Sequence, residues 1–280
     1  MLSAVQIDAS HAAADATPPG VAQFVAALAA ARGAGTPRDI EDFSSRPGSW
    51  AWAETHFKDH VRRLIQTQRA RSVMEIGGGR SPMFDEGEIA SMGVRYVIND
   101  ISARELRMAP DYVGKVCFDI AEPDQRKIVG YGGQYEVVFS RMVFEHVRDT
   151  RQAYRNIHAL LAPGGTALNF HPVLYCPPFV LNVLLPEELS RWILKFFVPI
   201  RTDVGVPKFA AWYDRCRVSA RVREEIRSIG FRDVWQIPFF YHSYFKNVPG
   251  LFQVDRALSR CAERNDWNAL ASYCYTVVAK

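Results

Sequence analysis

Residues 73–82 read VMEIGGGRSP, and this stretch decides the fold class of the chain. An apolar strand is predicted to end at Ile76, and the three glycines that follow let the backbone turn sharply without side chains in the way. Ser81 is expected to cap the next helix, and Pro82 suits its first position. The stretch predicts a strand, a tight turn and a helix N-terminus that faces open space, where an anionic group can approach N–H donors.

Around this stretch, short apolar runs alternate with helix-compatible segments. The predicted strands are Ser72–Ile76, Val94–Ile98, Lys115–Phe118, Tyr135–Ser140, Thr166–Phe170, Phe231–Phe239 and Tyr273–Ala279. The predicted helices between them are Pro82–Met92, Ser102–Met108, Pro123–Val129, Thr150–Leu161 and Val218–Ile229. This alternation is typical of βαβ units, and it predicts a doubly wound α/β fold with a mostly parallel, seven-stranded sheet.

The chain divides into an N-terminal part and a main domain. Helices are predicted at Val21–Arg32 and from about Trp50 to Gln68, so residues 1–69 are interpreted as a leader with a helical extension. The main domain is expected to span residues 70–280. The alternation stops between residues 172 and 215, a segment dense in apolar and aromatic residues. Because it follows the fifth strand, it is expected to project from the carboxyl edge of the sheet as an inserted helical cap.

Two kinds of nucleotide-binding turn compete for the glycine stretch. The dinucleotide fingerprint GxGxxG needs a glycine where this chain has Pro82, so only Gly77 and Gly79 match it. The other pattern is an acidic residue followed by x-Gly-x-Gly, and Glu75 to Gly79 satisfies it. The second pattern is the better match.

Four later segments fall in the order that the second pattern requires. Residues 97–102 read VINDIS, residues 117–120 read CFDI, residues 135–147 read YEVVFSRMVFEHV and residues 160–166 read LLAPGGT. With the glycine turn, these segments resemble the class I (Rossmann-like) S-adenosylmethionine-dependent methyltransferases, especially their small-molecule branch. The resemblance is strong over about residues 70–171 and extends to residues 215–280 only in general layout.

The resemblance implies S-adenosyl-L-methionine as the cofactor. Asp100 would accept both ribose hydroxyls of the adenosine and Asp119 would take the adenine amino group, although either aspartate could instead cap a helix. Glu75 would contact the methionine portion of the cofactor or neighbouring amides. The full expected set of cofactor-binding residues is Glu75, Gly77, Gly78, Gly79, Asp100, Ile101, Asp119, Ile120, Ser140 and Arg141.

The implied activity is methyl transfer to oxygen or nitrogen of a small or lipophilic acceptor. If the acceptor is a hydroxyl, a neutral imidazole is a natural proton acceptor, and the candidates are His171 and His146, because both follow strands that end at the site. His146 could instead order the loop after the fourth strand. A catalytically silent S-adenosylmethionine-binding protein, regulatory or scaffolding, is the alternative; an NAD(P)-dependent oxidoreductase is disfavoured by Pro82.

Composition argues against several other classes. The net charge of +4 and the lack of a dense Lys/Arg run give no reason to expect a nucleic-acid partner. No His, Asp or Glu group has metal-ligand spacing, so no metal is expected, and no apolar run is long enough for a membrane span. Five cysteines without a CxxC pair are interpreted as reduced thiols in a cytoplasmic protein.

Overall fold

The computed structural model describes residues 19–33, 47–124, 126–184 and 210–280. Two helices, α1 (Pro19–Gly33) and α2 (Trp50–Gln68), precede the sheet. The following elements are β1 (Ser72–Ile76), α3 (Glu86–Met92), β2 (Arg95–Asp100), α4 (Ala103–Met108), β3 (Gly114–Cys117), α5 (Arg126–Val129), β4 (Tyr135–Arg141), α6 (Thr150–Leu160), β5 (Leu161–Pro172), α7 (Pro177–Leu184), α8 (Ala220–Arg227), β6 (Asp233–Phe239), α9 (Pro249–Arg264) and β7 (Tyr273–Ala279). Short 3₁₀ turns occur at Phe144–His146 and Asn268–Leu270.

The described residues form a seven-stranded sheet with the order β3-β2-β1-β4-β5-β7-β6. Neighbouring strands are parallel except for β7, which runs antiparallel to both β5 and β6. The predicted doubly wound, mostly parallel sheet is confirmed. The strand order reverses between β1 and β4, and in open α/β sheets the carboxyl ends of the strands form a ligand-binding crevice at such a point.

Helix α2 packs directly on the sheet. It begins after Ser49, whose hydroxyl accepts a hydrogen bond from the Trp52 amide, and ends at Arg69 in the left-handed conformation. The ring of Phe57 lies 5.6 Å from that of Phe170, and the rings of Phe139 and Tyr275 are close to it as well. The boundary predicted at residue 69 does not coincide with a break in packing, because this helix shares the core of the sheet.

The helix after the glycine turn begins later than predicted. Its N-cap is Asp85, which accepts a hydrogen bond from the Glu88 amide while the Glu88 side chain accepts one from the Asp85 amide. This reciprocal capping box satisfies two amides at once, which neither Ser81 nor Pro82 can do. The expectation that Ser81 caps the helix and Pro82 opens it is wrong, and residues 77–85 form a longer loop.

Only part of the expected cap lies within the described residues. Helix α7 follows β5 directly, residues 185–209 lie outside the described part of the chain, and residues 210–216 return to the sheet. There the Trp212 and Tyr213 amides both donate to the Glu145 carbonyl oxygen, and the Leu174 amide donates to that of Cys216. The described portion is therefore attached to the loops after β4 and β5.

Helix α9, which connects β6 to β7, was not predicted from the sequence. Phe239 at the end of β6 pairs with Tyr273 at the start of β7, and Tyr273 also pairs with Pro172 at the end of β5. The connection from β6 to β7 therefore begins and ends at the carboxyl edge of the parallel strands. Within the described ranges, no helix is both long and apolar enough to cross a membrane.

Candidate cofactor and acceptor site

The glycine turn brings bare backbone against the ends of β1, β2 and β4. The Asn99 carbonyl oxygen accepts hydrogen bonds from the Gly77 and Gly78 amides at 2.8 and 3.1 Å. Gly77 has φ +74°, and a Cβ there would lie 2.4 Å from Cγ2 of Val143. Only glycine fits this position without strain. The Gly77 and Gly78 amides are therefore already bonded within the protein. At these two positions the turn can admit a ligand because glycine has no side chain, and not because it offers free N–H donors.

Glu75 lies beneath the turn and supports it. Its side chain is buried, and Oε2 accepts hydrogen bonds from the Tyr96 hydroxyl at 2.6 Å and from the Met83 amide at 3.0 Å. Burial raises the pKa of this carboxyl, while the two hydrogen bonds oppose the rise. Glu75 was expected to contact either the methionine portion of the cofactor or neighbouring amides. The contact with the Met83 amide is observed, and through it Glu75 holds the loop that leads to α3.

Asp100 and Asp119 lie at the carboxyl ends of the neighbouring strands β2 and β3. Oδ1 of Asp100 accepts a hydrogen bond from the Ser102 amide, and Oδ1 of Asp119 accepts one from the Ala121 amide, each at 2.8 Å. Neither aspartate is a helix N-cap: Ser102 caps α4, and α5 begins only at Arg126. In each aspartate Oδ2 has no hydrogen bond to the described residues.

The turn and the second strand meet at Asp100. A Cβ placed on Gly79 would lie 3.4 Å from Oδ2 of Asp100, so the absent side chain leaves space beside that carboxylate oxygen. Ile101, the next residue, exposes 58% of its surface, whereas Ile120 is buried under the same edge. A bare turn, a carboxylate oxygen and an exposed apolar side chain lie side by side. The carboxylate oxygen can accept hydrogen bonds from ribose hydroxyls, and the apolar side chain can contact a flat base, so these groups fit an adenosine.

The end of β4 forms the other wall. Ser140 is fully buried, and its hydroxyl donates to Oδ1 of Asn169 at 2.9 Å, so the hydroxyl is engaged between β4 and β5 and does not face the edge where the cofactor contact was expected. Arg141 is exposed at the edge, where its charge lowers the pKa of Glu75. Met142 has φ +57° and its amide donates to the Phe170 carbonyl, which turns the chain away from the strand.

Glu145 is a buried carboxyl in the 3₁₀ turn that follows. The residue is 5% exposed, and Oε2 has no hydrogen-bond partner among the described residues. Burial raises the pKa of Glu145 from 4.5 to about 8. The Tyr273 phenol is close enough that the Glu145 charge, added to burial, raises the pKa of Tyr273. Sequence analysis did not place Glu145 in the site, because nothing in the Glu-His-Val segment shows that the carboxyl is covered.

His146 adjoins this carboxyl and is partly exposed. Its Nδ1 donates to the Ala210 carbonyl oxygen at 3.1 Å, and its Nε2 lies 3.9 Å from Oε1 of Glu145. The contact with Ala210 supports the alternative in which His146 orders the loop after β4. Because Nδ1 is bonded to Ala210, Nε2 is the ring nitrogen that lies near the Glu145 carboxyl.

His171 does not open onto the site. It lies inside β5 rather than after it and is buried. Because a carbonyl oxygen can only accept, Nδ1 donates to Pro172 at 3.0 Å, and Nε2 accepts from the Thr276 hydroxyl at 2.9 Å. Burial lowers the pKa of His171 to about 4. The expectation that its ring faces an acceptor pocket is corrected: both nitrogens are engaged in joining β5 to β7.

An open cleft of about 490 Å³ lies elsewhere on the carboxyl edge, beside β6 and β7. It is lined by residues 218–220, 223 and 266–270, among them Arg223 and Trp267. It shares no residue with the glycine turn, so it does not mark the adenosine site.

Comparison with known proteins agrees with this geometry. Residues 49–173, somewhat less than half of the chain, match the family profile of a methyltransferase domain. Among solved structures, the chain is similar to the carbon methyltransferase CurJ, with 16% identity and a TM-score of 0.47 over 82% of this chain and 54% of that one. It is also similar to a SAM-dependent methyltransferase from Archaeoglobus fulgidus, with 15% identity and a TM-score of 0.47 over 81% of this chain and 94% of that one.

A third similar structure is the methyltransferase CalH in complex with SAH, with 16% identity and a TM-score of 0.47 over 81% of this chain and 57% of that one. The chain thus spans little more than half the length of the CurJ and CalH chains. No protein of curated function matches the sequence significantly. The family match thus covers residues 49–173, the part of the chain that contains the glycine turn and β1 to β5.

Proposed function

We propose that this chain transfers a methyl group from S-adenosylmethionine to an oxygen or nitrogen atom of a small or lipophilic acceptor. The observation that carries the proposal is the buried carboxyl of Glu145 next to an aromatic cover, formed by Phe179, Tyr213, Tyr244 and Tyr273. The same edge bears the space beside Gly79 and Asp100. Both features lie at the carboxyl ends of adjacent strands in the centre of the sheet. The aromatic cover favours an apolar acceptor. The raised pKa of Glu145 favours a role for its carboxyl in accepting a proton.

The cofactor would be held by the residues at the ends of β1, β2 and β3. The bare turn at Gly77, Gly78 and Gly79 admits the ligand, Oδ2 of Asp100 accepts from the ribose hydroxyls, and Asp119 takes the adenine amino group. The exposed side chain of Ile101 would form the apolar contact for the base, whereas the side chain of Ile120, also expected to bind the cofactor, is buried behind this edge. When bound, S-adenosylmethionine supplies an electrophilic methyl group on a sulfonium, and the protein has to align the acceptor with it.

The aromatic cover suits an apolar acceptor. The ring of Phe179 on α7 lies 5.5–5.7 Å from the rings of Tyr213, Tyr244 and Tyr273, and the Tyr244 and Tyr273 hydroxyls are 3.4 Å apart. Tyr213 is bonded through its amide to Glu145. Such a cluster excludes water from the acceptor and offers faces that attract a cationic centre.

Glu145 would handle the proton that the acceptor loses. With a pKa of about 8, its carboxyl is mostly protonated at pH 7 and ionised in a minor fraction. A base with a pKa near the working pH is well matched to accept a proton from a hydroxyl or an ammonium group. Nε2 of His146, 3.9 Å away, can relay that proton to solvent. We therefore retain His146 as a catalytic candidate with Glu145 and give His171 a structural role.

Calorimetry with S-adenosylhomocysteine and with NAD tests the cofactor half of the proposal. We expect S-adenosylhomocysteine to bind in the micromolar range and NAD not to bind. Asp100→Ala should weaken binding by about tenfold to a hundredfold, which corresponds to about 1–3 kcal/mol for a lost hydrogen-bonded partner. Asp111→Ala is the matched control, because Asp111 is exposed and pairs only with Lys115. Wild-type affinity in Asp100→Ala would show that the ribose contact is wrong.

An acceptor screen with labelled methyl donor tests the other half. Apolar amines and phenols should be methylated, and Glu145→Gln should lower kcat while leaving the affinity for S-adenosylhomocysteine unchanged. Normal cofactor binding without turnover on any acceptor would favour the catalytically silent alternative. Full activity in Glu145→Gln would show that catalysis rests on alignment alone.

A further inference from the structure

Glu145 is a buried carboxyl without a fixed counter-charge among the described residues. No lysine or arginine in the described ranges forms an ion pair with it, and the ring of His146, 3.9 Å away, is bonded to the Ala210 carbonyl oxygen. A carboxyl in such surroundings stays protonated, because burial penalises the charged form and so raises the pKa. A ligand that brings a positive charge would supply the missing partner and make the ionised form stable.

The contacts around Glu145 connect the glycine turn with the aromatic cover. On one side, a Cβ on Gly77 would touch Cγ2 of Val143, which precedes Glu145 by two residues. On the other side, the Glu145 carbonyl oxygen accepts a hydrogen bond from the Tyr213 amide. Burial raises the pKa of Tyr273, and the nearby Glu145 carboxyl adds to the rise. Glu145 is therefore near both the turn that would admit the cofactor and the rings of the cover.

The aromatic cover offers ring faces in more than one direction. The rings of Tyr244 and Tyr273 are turned by 83° and 90° from the plane of Phe179, whereas the ring of Tyr213 is turned by 31°. The face of an aromatic ring carries partial negative charge and attracts cations. None of these four side chains can carry a positive charge, so nothing in the cover itself would repel a cationic ligand.

We propose, on the basis of the methyl transfer set out above, that the acceptor is an amine that binds as its ammonium cation against the Glu145 carboxylate and the rings of the aromatic cover. An ammonium group gains from both partners, through an ion pair with the carboxylate and through attraction to the ring faces. An alcohol or a phenol gains only a hydrogen bond to the carboxyl, and an anionic acceptor gains neither interaction. A carboxyl without a fixed counter-charge, next to rings that attract cations, therefore favours amines over the other acceptors.

The chemical step balances without a further reactant. The bound ammonium gives a proton to the Glu145 carboxylate, which leaves a neutral amine with a lone pair on nitrogen. That nitrogen forms a bond to the methyl carbon while the bond from the carbon to the sulfonium sulfur breaks. The products are the methylated ammonium and S-adenosylhomocysteine, and one proton reaches solvent in each turnover, by way of Nε2 of His146.

Calorimetry with a permanent cation tests the ammonium site on the full chain saturated with S-adenosylhomocysteine. Choline and its uncharged carbon analogue 3,3-dimethylbutan-1-ol have nearly the same shape, and choline should bind more tightly by about tenfold or more. Choline has no ammonium proton to lose, so a proton released on binding comes from the protein. With a pKa of about 8, Glu145 should release about 0.9 proton per choline at pH 7, measured in buffers of different ionisation enthalpy.

Two variants separate the carboxyl from the rings. Glu145→Gln should lose the proton release and most of the preference for choline, and Phe179→Leu, which keeps apolar bulk without a ring face, should weaken choline binding more than binding of the alcohol. Glu224→Gln is the matched control, because Glu224 is exposed and paired with Arg227. Unchanged circular dichroism and unchanged affinity for S-adenosylhomocysteine verify that each variant is folded.

The possible outcomes separate this inference from the proposed function. Equal affinity of the wild type for choline and the alcohol, or an unchanged preference in Glu145→Gln, would overturn the ammonium site. In assays with labelled methyl donor, benzylamine should be methylated faster than benzyl alcohol and phenol. Turnover of phenol without turnover of benzylamine would overturn the inference and keep the proposed function. A preference for choline without turnover of any acceptor would keep the cation site and overturn the proposed function.

Discussion

The burial of Glu145 predicts an unusual dependence of stability on pH. Its carboxyl has a pKa raised from 4.5 to about 8 in the folded protein. Between these values the folded chain keeps a proton that the unfolded chain has released, so the contribution of Glu145 to stability is full below pH 4.5 and falls as pH rises to 8. The loss is about 1.4 kcal/mol for each pH unit, or on the order of 4 kcal/mol from pH 5 to pH 8.

Glu145→Gln replaces the titrating carboxyl with an amide of nearly the same shape. The variant should therefore match the wild type at pH 5 and exceed its free energy of unfolding increasingly as pH rises to 8. Urea unfolding at pH 5, 6, 7 and 8, followed by tryptophan fluorescence, measures this difference. Glu224→Gln is the control, because Glu224 is exposed and paired with Arg227 on α8.

The wild-type curve also contains two buried histidines. The pKa values of His60 and His171 are lowered to about 4 by burial, so their contribution to stability rises with pH from about 4 to 6.5. These contributions are the same in wild type and variant and cancel in the difference. If the free energies of unfolding of Glu145→Gln and wild type differ by the same amount at every pH from 5 to 8, the buried carboxyl of Glu145 does not cause the pH dependence of stability.

Two further predictions concern the glycine turn and β5. Gly77→Ala should lower the free energy of unfolding, measured with urea, more than Gly79→Ala does. Both substitutions require a left-handed alanine at a cost of about 1–2 kcal/mol. Only Gly77→Ala also places a Cβ against the side chain of Val143. Equal losses would contradict that contact. His171→Ala should lower the free energy of unfolding by about 2–4 kcal/mol, since it removes two buried hydrogen bonds and leaves a cavity, while kcat per folded molecule changes little. A kcat two to four orders of magnitude lower at unchanged stability would instead restore His171 as a general base.

Local pattern predicted most of the sheet. The bounds of β1, β7 and α2 agree with the structure because alternating apolar runs, glycines and helical spacing act over a few neighbouring residues. The placement of Asp100 beside Gly79 was also predictable, since parallel strands that end together bring their following residues to one edge. The start of α3 was not, because Ser81 and Asp85 are both acceptable caps and the choice depends on the reciprocal bond with Glu88.

The roles of the titratable residues were decided by tertiary structure. Glu145 and His171 both belong to the loops or strand ends at the carboxyl edge, and their neighbours in sequence do not tell them apart. His171 is saturated by Thr276, which is 105 residues away and reaches it only because β7 lies beside β5. Glu145 is buried, yet the Trp212 and Tyr213 amides bond its backbone carbonyl oxygen, and none of the described residues forms a hydrogen bond with Oε2 of its carboxyl.

The sequence by itself determined the strands, most of the helices and the glycine turn with its acidic partners, because these depend on contacts between near neighbours and on the handedness of βαβ crossovers. Which polar groups lose water depends on segments far apart in the chain. Only the packed structure decides that the Glu145 carboxyl in the turn after β4 is buried and that both ring nitrogens of His171 in β5 are engaged. The physical reason is that burial, and with it the pKa and reactivity of a side chain, is a property of the packed molecule and not of any local segment.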